Sequence, residues 1–182
     1  MSRTYQLLIG GQWVDGANGA YPIINPATEE VVDHAPECSV AQAESAAAAA
    51  QQALAGWAGT PVEQRTALLR KVAEVLASKA DELIPLIISE TGATAQVGSR
   101  LQVPVAIDRF VRYGAVRASD LVVPHAPFAS PTTPLAAGGL IGGVVHRQPV
   151  GVVAAVSPYN FPIVNIAGKI APALAAGCTV VV

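Results

Sequence analysis

Charged side chains are scarce in this 182-residue sequence, and neither sign dominates. Asp, Glu, Lys and Arg make up only 13% of the residues, and the formal net charge is −2 at pH 7. A chain without a basic stripe or an acidic tail lacks the electrostatic footprint of proteins that bind nucleic acids or anionic membranes. We therefore expect neither nucleic acid nor a membrane as a partner.

Cysteine is also rare, and the amino terminus shows no export signal. Charge and glycine interrupt the opening residues MSRTYQLLIGGQW before an apolar run of signal-peptide length forms. The two cysteines, Cys38 and Cys178, lie far apart, so we expect reduced thiols rather than a disulfide. These features predict a cytoplasmic protein.

No apolar run is clean enough to predict a membrane span. Residues 163–182 are mostly apolar, but they include Asn165, Lys169 and Pro172. A lysine at the bilayer centre costs about 2.5 to 3.5 kcal/mol on insertion scales. Because 52% of the whole sequence is hydrophobic, a folded core is expected instead, with this stretch forming a buried helix and strand.

Two further ligand signatures are missing. Asp33, His34, Glu37 and Cys38 lie within six positions, but their spacing fits no compact metal site, and a turn before a helix explains them better. The sequence has no Gly-x-Gly-x-x-Gly turn that would carry a pyrophosphate by itself. A basic face on a predicted helix over residues 99–119 is more simply a solvated face than a phosphate site.

The strongest pattern lies at the carboxyl end. Residues 150–156 form an apolar, valine-rich run typical of a strand buried on both faces. Pro158 ends it, because proline cannot donate to a strand ladder. A helix over residues 163–176, a left-handed cap at Gly177 and a second buried strand over residues 178–182 follow. This order predicts the opening crossover unit of a parallel α/β sheet.

Asn160 follows the first of these strands at its carboxyl end. Ligands gather at that edge of parallel sheets, and a primary amide there can donate to a developing oxyanion. An asparagine in a turn also commonly satisfies the backbone of its own loop. The residues alone leave both interpretations open.

Hairpins and helices are predicted before this unit. Residues 5–14 and 21–32 read as hairpins with a Gly-Gly and an Asn-Pro turn. Capping boxes at residues 39–42 and 60–63 begin two helices, and a third helix over residues 80–90 ends at Gly92. Helical spacing in the second of these helices assigns to the core Leu68, Leu69, Val72, Val75 and Leu76. The same spacing assigns to the solvent face Arg65, Arg70, Lys71, Glu74 and Lys79.

Residues 121–148 change in composition to proline, glycine, alanine and serine. Short extended pieces are predicted at residues 121–123 and 144–146. A structureless loop of this length is unusual inside a compact domain, so we expect a protruding arm that packs elsewhere.

Several of these segments resemble one family. PVGVVAAVSPYNFP and KIAPALAAGCTVVV resemble the signature region of the NAD(P)-dependent aldehyde dehydrogenase superfamily, and IGGQWVDG, INPATEEV and ISETGAT resemble its amino-terminal motifs. The resemblance implies an α/β fold with an incomplete Rossmann-like cofactor domain. It implies hairpins and helices over residues 1–120, an oligomerisation arm over 121–148 that makes a homo-oligomer, and a truncated parallel sheet over 149–182.

The resemblance also implies an activity and a site. The family oxidises an aldehyde to a carboxylic acid with NAD or NADP through a cysteine thioester. Asn160 matches its oxyanion donor, and Lys169 matches a lysine with an orienting role, although snorkelling from a buried helix explains Lys169 almost as well. The positions that would line the cofactor are Val156, Ser157, Pro158 and Tyr159. Phe161 and Val164 would face the aldehyde, and no metal is implied.

The departures from the family pattern set a second expectation. The sequence stops at Val182, before the family's Lys-Pro pair, its nucleophile and its water-activating glutamate. Cys178 stands where the family often has asparagine, so we do not expect it to be catalytic. The chain alone is therefore expected to be inactive. The alternative is a catalytically dead association module that binds full-length relatives.

Overall fold

Two antiparallel hairpins open the structure, a computed structural model that describes residues 5–182. β1 (Leu7–Ile9) pairs with β2 (Gln12–Val14), and the two glycines between them both have positive φ. β3 (Ala20–Ile24) pairs with β4 (Val31–Pro36). Both predicted hairpins are thus confirmed. Residues 1–4, part of the segment predicted to carry no export signal, lie outside the described residues.

Three helices follow the hairpins: α1 (Val40–Gly59), α2 (Val62–Ser78) and α3 (Ala80–Thr91). The first predicted capping box is confirmed, because the Ser39 hydroxyl accepts from the Gln42 backbone N–H at 3.3 Å and the Gln42 side-chain oxygen accepts from the Ser39 backbone N–H at 3.1 Å. This box fixes where the alanine-rich α1 begins.

Gly92 ends α3 with φ +66, as the sequence predicts. The position also requires glycine for space, since a Cβ atom there would lie 2.5 Å from Cγ of Pro26 in the turn between β3 and β4. The helix ending and the Asn-Pro turn, which are distant in sequence, therefore pack directly on each other.

The second predicted capping box is wrong. Pro61 occupies the N-cap position of α2, and no side chain caps the helix. Thr60 belongs to the preceding helix instead, because its N–H donates to the carbonyl of Trp57 and its hydroxyl donates to the carbonyl of Gly56 at 2.9 Å. A threonine that satisfies the end of α1 is not available to begin α2.

The predicted inner face of α2 is also partly wrong. Leu69 and Ala73 are buried, but three residues assigned to the core are exposed by 54%, 38% and 44%, namely Leu68, Val72 and Val75. Arg65, assigned to solvent, is only 4% exposed. The spacing of the apolar residues predicts the wrong buried face for part of α2. Arg65 is buried because it forms hydrogen bonds with backbone carbonyls, and the spacing of apolar residues does not predict those bonds.

The predicted helix over residues 99–119 is divided in the structure. α4 (Ala95–Val97) leads through a π-helical turn (Gly98–Gln102) into α5 (Val103–Tyr113), and a 3₁₀ turn (Ala118–Leu121) follows separately. A Cβ atom at Gly98 would lie 2.6 Å from Cγ1 of Ile88, so glycine permits this close approach to α3. Close packing here replaces the regular helix that periodicity predicts.

The arm predicted over residues 121–148 contains one long hairpin. β5 (Val122–Ser130) pairs antiparallel with β6 (Gly139–His146), and the register places Val122 opposite His146. All residues of β6 and most of β5 are exposed. The two short extended pieces predicted at its ends are therefore the paired base of this hairpin.

The carboxyl-terminal crossover unit forms in the predicted order, but its two strands have only three residues each and are less buried than predicted, since Val150, Val156 and Val182 are 89%, 81% and 77% exposed. β7 (Val152–Ala154) pairs in parallel with β8 (Thr179–Val181), and α6 (Pro162–Ala176) connects them, ending at Gly177 with φ +94. The buried core is shared by α2, α5 and α6 and consists of Leu69, Ala73, Ala106, Phe110, Ala167, Ala171 and Ala175. Its many alanines let these helices approach closely. The fold is thus a partial α/β domain.

Three further observations concern the cysteines, the membrane-spanning potential of the helices and the polar cluster at residues 33–38. Cys38 and Cys178 are both free thiols. Within residues 5–182, no helix has the length and apolar character needed to cross a membrane. The cluster at residues 33–38 does not form a metal site, and no other group of three or more His, Cys, Asp or Glu side chains in the described part does so.

The buried Arg65 side chain ties the ends of two helices together. Its Nε and Nη2 atoms donate to the carbonyl of Ala175 near the end of α6, each at 3.3 Å. Its Nη1 atom donates to the carbonyl of Ala58, at 3.3 Å, and to that of Thr60, both at the end of α1. Helix carboxyl ends carry partial negative charge and unpaired carbonyls, so a guanidinium stabilises both ends at once. No carboxylate in the described residues forms an ion pair with it.

Arg65→Met is expected to lower the free energy of unfolding by about 3 kcal/mol, because hydrogen bonds to a charged group are each worth about 1.5 to 3 kcal/mol and buried carbonyls lose their donor. Urea unfolding followed by far-UV circular dichroism measures this. The matched control is Arg112→Met on the exposed face of α5, which should change stability by less than about 0.5 kcal/mol. Equal effects of the two substitutions would show that Arg65 does not join the helices.

Glu90 lies half-buried near the end of α3 and close to Asp33 of β4. Burial, and secondarily the charge of Asp33, raises the pKa of Glu90 above its ordinary value of 4.5. The folded chain therefore binds this proton more tightly than the unfolded chain does. The contribution of Glu90 to stability is fully present below pH 4.5 and declines as the pH rises through the raised folded pKa.

Glu90→Gln is expected to raise the melting temperature at pH 7, because the uncharged amide removes the cost of a desolvated carboxylate beside Asp33. The gain should shrink toward zero as the pH falls below 4.5. Thermal unfolding of both proteins from pH 4 to pH 8 measures it, with Glu44→Gln on the exposed side of α1 as the control. A gain that is the same at every pH would contradict this explanation.

Candidate active-site loop

The candidate site is the loop of residues 155–161 at the carboxyl end of β7. Ala155 is 2% exposed, and its N–H donates to the carbonyl of Val181 at 2.7 Å, which extends the pairing of the two parallel strands by one residue. Val156, the next residue, is 81% exposed. The chain therefore leaves the core abruptly at this point, and the following side chains stand at the edge of the sheet where ligands commonly bind.

Asn160 lies in the turn of this loop and is exposed, next to Tyr159, which is 90% exposed. Within the described part of the chain, no group forms a hydrogen bond with the Asn160 side chain. Its amide is free to donate to a ligand and does not satisfy the backbone of its own loop in this structure.

The loop is anchored to the first turn of α6 by Asn165. The carbonyl of Phe161 accepts from the Asn165 backbone N–H at 3.0 Å and from the Asn165 side-chain amide at 2.9 Å. Pro162 occupies the first turn of the helix, where its missing N–H leaves no donor unpaired. Sequence reasoning did not assign Asn165 to the site. The signal in the sequence was the spacing, because an asparagine four residues after Phe161 can donate from its side chain to the Phe161 carbonyl.

Lys169 lies one helical turn beyond Asn165. Its ammonium group is 3.5 Å from the carbonyl of Asn165, and its side chain is half-buried. It forms no ion pair with a carboxylate of the described residues. Lys169 thus contacts the backbone of Asn165, the residue that anchors the loop. Phe161 and Val164 are half-buried in the same segment. The structure gathers these residues around the start of α6 rather than at separate places.

Ser157 provides a test of whether the loop suits the cofactor that the resemblance implies. Its hydroxyl is buried and has no hydrogen-bond partner in the described residues, which is unusual for a buried polar group. Around it, Val156, Pro158 and Tyr159 are exposed at the carboxyl edge of the sheet. An orphaned hydroxyl between exposed apolar surfaces fits one wall of a site for a planar, hydrogen-bonding group such as nicotinamide.

The two cysteines lie away from this loop. Cys178 is 3% exposed and precedes β8, and Val152 lies opposite Thr179 in the parallel register. Cys178 is therefore at the amino edge of the sheet, opposite the loop that holds Asn160. Cys38 is exposed before α1, and its thiol donates to the carbonyl of Ser39 at 3.3 Å. Neither thiol is placed to attack a group held by Asn160.

The crossover unit and its polar loop define a parallel α/β unit of the cofactor-binding type. A profile of the Aldehyde dehydrogenase family matches residues 13–182, nearly the whole sequence. The chain belongs to the aldehyde dehydrogenase family, which confirms the resemblance seen in its motifs.

Individual relatives agree with this assignment. The glutarate-semialdehyde dehydrogenase of Pseudomonas putida is 34% identical over 177 residues, which cover 97% of this chain and 35% of that protein. The crystal structure of an aldehyde dehydrogenase from Brucella melitensis biovar abortus matches 97% of this chain and 35% of its own, with 33% identity and a TM-score of 0.82.

A third relative has been solved with ligands. Aldehyde dehydrogenase C from Pseudomonas syringae, crystallised as a mutant with NAD+ and octanal, is 32% identical with a TM-score of 0.80, over 99% of this chain and 36% of its own. The chain thus spans about a third of the length of the relatives that it matches.

Proposed function

We propose that this chain is the amino-terminal part of an enzyme that oxidises an aldehyde to a carboxylic acid with NAD or NADP through a cysteine thioester. The observation that carries the proposal is the unpaired, exposed amide of Asn160 at the carboxyl end of a parallel strand. Support comes from the family assignment and from a relative that was crystallised with NAD+ and octanal. Semialdehydes and aldehydes are accordingly the proposed substrate class.

Asn160 would act as the oxyanion donor. When a thiolate attacks an aldehyde, the carbonyl oxygen gains a full negative charge, and a fixed amide N–H stabilises that charge more than it stabilises the neutral carbonyl. The Asn165–Phe161 hydrogen bonds, at 2.9 and 3.0 Å, hold the end of the loop so that the amide needs little reorganisation. Lys169 would orient Asn165 through its contact with the Asn165 carbonyl. Phe161 and Val164 would contact the aldehyde.

The cofactor side of the site would be formed by Val156, Ser157, Pro158 and Tyr159. A nicotinamide ring bound there supplies a hydride acceptor. The Ser157 hydroxyl offers a hydrogen-bond donor that has no other partner among the described residues, and the exposed Val156 and Tyr159 offer apolar contact. These residues make one wall only, and we propose that the chain by itself is inactive, since neither of its thiols lies near the loop.

We further propose that three segments of the chain have different structural roles. Residues 1–120 would form the hairpins and helices of the cofactor domain, 121–148 the oligomerisation arm, and 149–182 the start of the parallel sheet. The arm exposes large apolar side chains, including Phe128 at 60%, Leu135 at 98% and Leu140 at 77%. Such side chains on a protruding hairpin favour burial against a second copy in a homo-oligomer.

A cytoplasmic location is also proposed, supported by the two free thiols.

The exposed arm also favours a second candidate function. A chain with this hairpin and no nucleophile near its loop would serve as a catalytically dead association module that binds full-length relatives. The two candidates share the arm and differ in whether Asn160 contributes to turnover.

The decisive experiment joins this chain to the carboxyl-terminal remainder of the P. putida glutarate-semialdehyde dehydrogenase, replacing the 35% that it matches. We expect the chimera to oxidise glutarate semialdehyde with NAD+ or NADP+. Asn160→Ala should lower kcat by about a hundredfold to a thousandfold with a smaller change in KM, because it removes one oxyanion donor. Initial rates measured by cofactor absorbance at 340 nm test this.

Gln52→Ala, at an exposed position of α1, is the control in the same chimera and should keep full turnover. The 182-residue chain alone sets the baseline, with no saturable rate expected. If Asn160→Ala turns over like its parent, the assigned role of Asn160 is wrong. Saturable oxidation by the isolated chain would refute the proposed incompleteness.

The proposed arm interface makes a separate prediction. Leu140→Lys should raise the dissociation constant of the oligomer by about tenfold or more, because it places an unpaired charge in an apolar contact. Sedimentation velocity over a concentration series measures the effect in the 182-residue chain. Gln51→Lys, on the exposed side of α1, adds the same charge elsewhere. Association that is equally sensitive to both changes, or absent in the parent chain, would exclude the arm as its basis.

A further inference from the structure

The two arginines of α5 differ in their surroundings. Arg112 is exposed, as expected of a solvated helix face, whereas Arg109 is half-buried. A Cβ atom at Gly168 of α6 would lie 4.0 Å from Nε of Arg109. Because Gly168 has no side chain, the Arg109 guanidinium has room to lie against the surface of α6.

The Arg109 guanidinium lacks a bonding partner within residues 5–182. No side chain or carbonyl of this part of the chain forms an ion pair or a hydrogen bond with it. Its five N–H donors form a planar fork, and half-burial removes part of their water without replacing the lost hydrogen bonds. A carboxylate is the partner that this fork matches best, because its two oxygens accept two parallel hydrogen bonds.

α5 and α6 run in the same direction. Arg70, in the first half of α2, donates to the carbonyl of Gly114, which follows α5. Arg65, in the same half of α2, donates to the carbonyl of Ala175 near the end of α6. The carboxyl ends of the two helices thus lie together, and their amino ends lie beside the candidate active-site loop. Side chains on a helix lean toward its amino end, which for Arg109 is the direction of that loop.

Gly168 shares one face of α6 with the residues proposed to contact the aldehyde. Phe161, Val164 and Gly168 are three and four residues apart, the spacing that stacks positions on one side of a helix. The rise over the seven residues from Phe161 to Gly168 is about 10 Å. Hydrogen bonds of about 2.8 Å at both ends leave about 5 Å for a ligand, which is the span of about five carbons.

We infer that Arg109 determines substrate specificity by binding a carboxylate at the far end of the aldehyde. The preferred substrates are then aldehydes of about five carbons whose other end is a carboxylate. A neutral alkyl aldehyde would leave the guanidinium unpaired, which is the basis of the discrimination. This inference rests on the proposed aldehyde oxidation. A carboxylate side chain from elsewhere in a longer protein would offer Arg109 the same chemistry, so the experiments must separate the two sources.

The kinetic test uses the chimera with the P. putida enzyme and compares glutarate semialdehyde with pentanal, a neutral aldehyde of the same chain length. Arg109→Met should lower kcat/KM for glutarate semialdehyde about tenfold to a hundredfold, chiefly through KM, because a hydrogen-bonded charge pair is lost. The value for pentanal should stay within about twofold. Arg109→Lys keeps the charge without the fork and should retain part of the preference. Arg112→Met, on the exposed side of α5, is the control and should affect neither substrate.

A binding test separates this inference from the proposed function, because it needs no turnover. Titration calorimetry on the same chimera compares glutarate with pentanoate, which lacks the second carboxylate. We expect glutarate to bind about tenfold more tightly or better, and Arg109→Met to abolish the difference. A chimera that oxidises no aldehyde but shows this Arg109-dependent preference would refute the proposed function and support the role of Arg109. A chimera that oxidises both aldehydes, with a preference that Arg109→Met leaves unchanged, would do the reverse.

Two results would overturn the inference. One is an equal loss of activity with both aldehydes in Arg109→Met, which would mean that the guanidinium pairs with a carboxylate side chain of the protein itself. The other is a preference for the carboxylated ligand that is absent or does not depend on Arg109. Far-UV circular dichroism checks that each variant is folded, and Arg109→Lys supplies the same comparison if Arg109→Met is not.

Discussion

The structure depends on the capping of two helix ends by one buried guanidinium. Arg65 donates to carbonyls at the ends of α1 and α6, so it holds the end of α6, from which β8 follows, against the end of α1. β8 in turn supplies the partner for β7 and the carbonyl that accepts from Ala155 at the start of the candidate active-site loop. The position of the loop thus follows from a chain of backbone contacts that begins on a different helix. Buried charge is costly unless it is fully hydrogen-bonded, and here backbone carbonyls meet that need.

Local signals in the sequence were enough to predict much of the fold. The Gly-Gly and Asn-Pro turns, the capping box of Ser39 with Gln42, and the glycines that end α3 and α6 act on neighbouring residues, and each appears where it was expected. The errors concern tertiary contacts. The burial of Arg65 depends on carbonyls of distant residues, and the π-helical turn depends on how closely α3 approaches Gly98. Apolar spacing along one helix contains no information about either contact.

The candidate site likewise has features that the sequence predicts and features that depend on contacts the sequence does not predict. The resemblance places Asn160 in a loop after a buried strand, and the structure shows that loop at the carboxyl edge with an unpaired amide. The part played by Asn165 could not be read from periodicity, because it depends on the helix starting at Pro162 so that residue 165 reaches the carbonyl of Phe161.

We propose that the loop of residues 156–160 lines the nicotinamide site and presents the Asn160 amide to the aldehyde. A crystal structure of the chimeric enzyme with bound NAD+ and an unreactive aldehyde analogue tests it most directly. We expect the nicotinamide ring to lie against residues 156–159 and the oxygen of the analogue to lie within hydrogen-bond distance of the Asn160 side-chain nitrogen. A cofactor bound at the opposite, amino edge of the sheet beside Cys178, or an Asn160 side chain turned away from the analogue, would contradict it.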